Sequence, residues 1–147
     1  MGYHHTRYGG TAAVFLSPAH VAQLQIDDLR SLQVSHQKAQ TLLTLAPSID
    51  EGSLDVQTLY HLSSMETRGL LQELKGIRPW TADYSLLRVF GHGDVFLVAD
   101  VGLRRAWAGV TNQSHVTTRE LLEAAQVWAG RRSEFAFWLW LSTRAIG

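Results

Sequence analysis

The chain has 147 residues and a mass of 16.4 kDa, with 46% hydrophobic and 18% charged residues, which fits a globular chain and argues against disorder. Thirteen basic residues balance thirteen acidic ones, so no global field points to a polyanion. Cysteine is absent, which excludes disulfides, thiol nucleophiles, thiolate zinc sites and cysteine-ligated iron–sulfur clusters. No apolar run reaches the roughly 18 residues of a membrane span, and the opening MGYHHTRYGG has no apolar core of a secretory signal. The charge is unevenly spread. Residues 1–66 carry 3 basic and 6 acidic side chains, and residues 67–147 carry 10 basic and 7 acidic.

Residues 1–14 read as a leader or joint, and residues 15–147 as one domain. Ser17-Pro18 predicts an N-cap followed by proline at the first helical position. Asp27-Asp28-Leu29-Arg30 starts a second short helix ending near Val34. Ser35 caps a longer one, with Ala39, Leu42, Leu43 and Ala46 at helical spacing. Pro47 should kink or end it, because proline removes a backbone donor and crowds the preceding turn. Gly52 marks a stop, and Leu54 to Leu62 is ambiguous.

Ser63 or Ser64 caps the next helix, with Glu66 as the capping-box partner of Ser63 and Leu70, Leu71 and Leu74 as its apolar stripe. Lys75-Gly76-Ile77-Arg78-Pro79 is a tight break, and Pro79 opens a helix with Trp80, Tyr84, Leu87 and Phe90 on one side. Val95-Phe96-Leu97-Val98 has strand composition but no neighbouring partner strand. Asp100 precedes a helical run, Thr117 or Thr118 caps another, and Glu134 to Ile146 forms an aromatic C-terminal helix. Seven or eight short helices with short connections predict an all-α class. The seven histidines show no metal spacing, and there is no phosphate-cradling glycine loop or G-x-S-x-G motif.

The helix–break–helix run Leu70 to Ala82, followed by Asp94-Val95-Phe96-Leu97-Val98-Ala99-Asp100-Val101-Gly102-Leu103-Arg104, resembles the helix-hairpin-helix DNA glycosylase superfamily. Its 3-methyladenine, alkylation-repair type is the most similar. The resemblance covers about residues 15–142 and implies a compact multi-helix domain. It also implies a base-excision-repair N-glycosylase that acts on alkylated purines in double-stranded DNA by hydrolysis alone. Asp100 would be the catalytic carboxylate, a role that coexists with capping the following helix. Trp80, Tyr84 and Trp138 would line the base pocket. Glycosylases that also cut the strand place a lysine where Trp80 stands.

The amides of Gly76, Arg78 and Thr81 would face phosphates. The carbonyls of Gln72, Leu74 and Ile77 would hold a monovalent cation, with no catalytic cofactor implied. With no long apolar run, no membrane partner is expected, and the resemblance implies a cytoplasmic place, nucleoid-associated if the source is a bacterium. The rival reading is a non-catalytic helix-hairpin-helix DNA-binding module or an inactive homologue.

The sequence departs from the family pattern at several points. The family's earlier helices, with its Gln-rich pocket segment and wedge side chain, have no match in residues 1–14. Arg78 stands where the hairpin usually has its second glycine, Gln33 where a helix-ending glycine is favoured, and Pro47 inside a helix that is otherwise regular.

Overall fold

The protein is described here by a computed structural model covering residues 7–8, 11–12 and 16–145. It divides into two compact units, Met1–Val56 and Gln57–Gly147. Most of the leader expected over residues 1–14 falls outside the described residues. The exception is a two-residue antiparallel ladder, β1 (Arg7–Tyr8) with β2 (Thr11–Ala12), in which Arg7 pairs with Ala12.

The first unit carries α1 (Pro18–Ala22), α2 (Ile26–Ser31) and α3 (His36–Asp50). Ser17 caps α1 as its residue type predicts, its hydroxyl accepting the His20 N–H at 3.3 Å. Asp28 reaches back to the Gln25 N–H at 2.7 Å and so begins α2. Helix α2 ends at Ser31, short of Val34, and Gln33 then adopts φ +63°. That conformation costs a residue with a Cβ roughly 1–2 kcal/mol, which explains why glycine suits the position. Ser35 stands at the N-cap of α3 without a side-chain capping bond.

Of the kink or stop expected at Pro47, the stop does not occur. Helix α3 runs through it to Asp50, and the Pro47 carbonyl still accepts the Glu51 N–H at 2.9 Å. Proline sacrifices one amide there, three residues before the helix ends anyway. Gly52, at φ +76°, then closes the helix as predicted.

At the boundary of the two units stands α4 (Val56–Leu59), in the ambiguous stretch of the sequence, followed in the second unit by α5 (Ser64–Glu73) and α6 (Pro79–Arg88). Ser63 and Glu66 form the expected reciprocal capping box. Buried Thr67 donates its hydroxyl to the Leu59 carbonyl at 3.2 Å, tying α5 to α4. Then follow α7 (Val101–Val110), α8 (Thr118–Gln126) and α9 (Arg132–Ala145). Of the residues predicted for the last helix, Ile146 lies outside the described ones.

The segment Val95–Val98 is not a strand. It crosses the unit as irregular chain and sends Val95 and Leu97 into the core. The core also holds Leu86, Leu103, Leu121 and Leu139. Phe135 sits at its aromatic centre, stacked with Phe96 and Trp128 and edge-on to Trp107 at centroid distances of 5.4–5.6 Å. Nine helices among the described residues make the protein all-α, as composition and spacing predict.

Two ties suspend the irregular segment. Ser133, buried at the start of α9, accepts the Val95 N–H with its hydroxyl at 3.0 Å and donates to the His92 carbonyl at 2.6 Å. Asp94 binds the Arg132 guanidinium and the Gly130 N–H. These bonds fix where the segment delivers Asp100.

Candidate active site

Asp100 is the N-cap of α7, and both of its carboxylate oxygens are engaged. Oδ1 accepts the Leu103 N–H at 2.8 Å, and Oδ2 accepts the indole Nε1–H of Trp80 at 3.0 Å. The carboxylate thus meets two neutral donors, and no lysine, arginine or histidine nitrogen lies within 4.0 Å of it among the described residues. Gly102 makes this geometry possible. A Cβ there would lie 2.9 Å from Oδ1 and 3.9 Å from the Trp140 Nε1.

Asp100 opens into a cavity of about 370 Å³, lined also by Trp80, Tyr84, Arg88, Phe137, Trp140 and Leu141. Trp80 and Tyr84, one turn apart on α6, stack at 5.1 Å and 16°. Tyr84 leans on Trp140 at 5.9 Å, and Trp140 meets Phe137 edge-on at 5.9 Å. The Arg88 guanidinium lies 5.3 Å over the Phe137 ring. At 43% and 36% exposure, Trp80 and Tyr84 face this cavity instead of the core. The result is a carboxylate at the mouth of an aromatic slot, which suits a flat, electron-poor ring beside a developing positive charge.

The structure brings Asp100, Trp80 and Tyr84 together as expected, but not Trp138. That side chain is 62% exposed and does not line the cavity; Trp140 does. Helical spacing explains the correction. Phe137, Trp140 and Leu141 share one face of α9, and Trp138 points to another. The same logic reveals Arg88, which continues the row Trp80–Tyr84 by one more turn of α6.

The hairpin occupies Leu74 to Arg78. Its one left-handed residue is Gly76, at φ +94°, where glycine carries no steric cost. Arg78 is extended, at φ −96° and ψ 165°, so the arginine does not strain the turn, and it N-caps α6 ahead of Pro79. Thr81 stands in the first turn, where helix amides lack internal partners. The Leu74 carbonyl accepts the Ile77 N–H at 3.0 Å, and Gln72 lies in the last turn of α5. The three carbonyls of Gln72, Leu74 and Ile77 are neutral, hard oxygen donors beside a helix C-terminus, a donor set that suits a monovalent cation.

No protein-family model matches the chain. It is 35% identical over 89 residues to a putative DNA-3-methyladenine glycosylase of Bacillus subtilis, covering 60% of this chain and 31% of that one. It is 28% identical over 128 residues to a DNA-3-methyladenine glycosylase of the same organism, covering 86% of this chain and 42% of that one. The chain therefore spans well under half the length of these curated relatives. Among solved structures, it resembles a 3-methyladenine DNA glycosylase of Archaeoglobus fulgidus at a TM-score of 0.77 and 24% identity, covering 96% of this chain and 48% of that one. It also resembles the Schizosaccharomyces pombe 3-methyladenine DNA glycosylase in complex with abasic DNA, at a TM-score of 0.76 and 22% identity, covering 84% and 61%.

Proposed function

Because the chain belongs to the helix-hairpin-helix DNA glycosylase superfamily, of the 3-methyladenine type, we propose that it hydrolyses the N-glycosidic bond of alkylated purines in duplex DNA. The observation that carries this reading is the Asp100 carboxylate, held by two neutral donors at the mouth of an aromatic cavity.

The damaged nucleotide leaves the stack, and its base enters the slot of Trp80, Tyr84 and Trp140. The bond from C1′ to the base nitrogen breaks, and the base departs with the bonding electrons. An alkylated purine is already cationic, so this departure neutralises it and needs no strong general acid. Positive charge builds on the sugar, and Asp100 stabilises it. A water oxygen then bonds to C1′, and its proton passes to Asp100 or to solvent.

Trp80 stands at the hairpin position where a lysine would form a Schiff base, which favours hydrolysis without strand cleavage. The amides of Gly76, Arg78 and Thr81 grip backbone phosphate without reading sequence. The carbonyls of Gln72, Leu74 and Ile77 would hold a monovalent cation, which would firm the hairpin. Replacing potassium and sodium by a bulky organic cation at constant ionic strength should then weaken duplex binding.

Methylated duplex DNA, incubated with the chain and with Asp100→Asn, tests the reading. Release of methylated base by the wild type alone supports it. Salt-sensitive DNA binding without release by either would identify a binding module instead. Equal release by both would overturn the assignment of Asp100.

A further inference from the structure

We propose that a second cavity, between α7 and the chain leading into α8, binds the phosphodiester next to the nucleotide whose sugar sits over Asp100. This inference rests on the DNA reading above. The cavity measures about 250 Å³, and its polar lining is Arg104, Arg105, Ser114 and His115. It is separate from the aromatic slot and shares no residue with it.

The ion pairs of the second unit single this cavity out. Arg68 is matched by Asp83 at 2.6 Å, Arg119 by Glu123 at 2.8 Å, and Arg131 and Arg132 by Glu134 and Asp94 at 2.5 Å. Among the described residues, no carboxylate lies within 4.0 Å of Lys75, Arg78, Arg88, Arg104 or Arg105. Lys75 and Arg78 belong to the hairpin, and Arg88 lies over Phe137. The remaining two share one wall of this cavity.

Arg104 is also set in place, because its Nη1 donates to Thr118 Oγ1 at 2.9 Å, and its other N–H groups meet no hydrogen-bond partner among the described residues. The neighbouring carboxylate on α8, Glu120, commits its Oε2 to capping its own helix. It accepts the Thr117 N–H at 2.8 Å and the Thr117 hydroxyl at 2.6 Å. Its carboxyl is held below the usual range chiefly by those bonds, with a smaller contribution from His115. The cavity thus presents two fixed-charge guanidiniums, a hydroxyl and an imidazole, which is donor chemistry for a phosphate.

Its place on the helix fits the same strand. From Asp100 to Arg104, α7 advances about 6 Å. A strand laid along these turns sets a sugar over the carboxylate and the adjoining phosphate at the guanidiniums. A carboxylate that must work beside a phosphodiester repels it, and flanking arginines offset that repulsion.

Anisotropy of a fluorescent, undamaged duplex between about 50 and 200 mM salt tests the proposal, since each lost phosphate contact lowers the log–log slope by about 0.9. The proteins are wild type, Arg105→Gln, Arg104→Gln with Arg105→Gln, and the hairpin pair Lys75→Gln with Arg78→Gln, each checked for folding by circular dichroism. Arg105→Gln leaves the bond between Arg104 and Thr118 in place. The proposal expects a slope lower by about 1 for Arg105→Gln and by about 2 for the double variant. Unchanged slopes for both, with a lower slope for the hairpin pair, overturn the proposal and leave the DNA reading standing. A wild type without salt-sensitive duplex binding overturns both.

Discussion

Asp94 and Asp100 lie in the same irregular segment between α6 and α7, yet they are held by opposite kinds of partner. Asp94 meets a full positive charge, taking both arms of the Arg132 guanidinium and the backbone N–H of Gly130 at 2.9 Å. That guanidinium, chiefly through its hydrogen bonds, lowers the Asp94 carboxyl to about 2. Asp100 meets only neutral N–H groups, from Leu103 and Trp80. A cation cancels a carboxylate and makes it a tether. Neutral donors fix its position and leave its charge available to the cavity.

Substitutions can break this contrast. Asp100→Asn should lower release of methylated base by about 10²–10³-fold. Its effect on thermal unfolding should be small, because asparagine also caps helices. Unimpaired release would show that the free charge is not used.

Gly102→Ala should cost about tenfold in release, as the new Cβ forces Oδ1 off the Leu103 N–H and a small misplacement of a reacting group is expensive. Its melting temperature should change little, since the roughly 1 kcal/mol by which alanine favours a helix over glycine offsets the lost cap. Lost stability with full activity would contradict this. Trp80→Phe keeps an aromatic face and removes the N–H. A several-fold fall in single-turnover rate should follow, and in the two-dimensional NMR spectrum of the wild type the Trp80 indole resonance should move on Asp100→Asn.

The smallest effect belongs to Asp94. A depressed carboxyl stabilises the fold above its unfolded value of 3.8 and loses that contribution as pH falls through about 2. The pair is partly exposed, at 28% and 38% for its side chains, so screening reduces its worth to about 1 kcal/mol. Urea titrations should show wild type and Asp94→Asn differing by that amount at pH 7 and converging towards pH 2.

Much of this was legible in residue types at helix boundaries. Ser17, Ser63, Asp100 and Thr117 all cap the helices that follow them, because a short oxygen-bearing side chain satisfies amides left open by the first turn. Pro47 misled as a stop because its local cost depends on where the helix ends, which tertiary packing decides. Val95 to Val98 has strand composition, but its apolar side chains serve a core built by helices. In the site, Asp100, Trp80 and Tyr84 could be placed by motif and by one helical turn. Choosing Trp140 over Trp138 required the rotation of α9, which a uniformly aromatic run does not reveal. The donor from Trp80 to Asp100 spans twenty residues of sequence and could be seen only in three dimensions.

The bond from the Val95 amide to Ser133 has a kinetic consequence. The segment that ends at Asp100 hangs from the first turn of α9, so exchange of the Val95 amide with deuterated solvent requires that attachment to open. The amide therefore serves as a clock for the site. Its exchange rate reports how often the first turn of α9 releases the chain bearing the carboxylate, independently of whether any DNA is present.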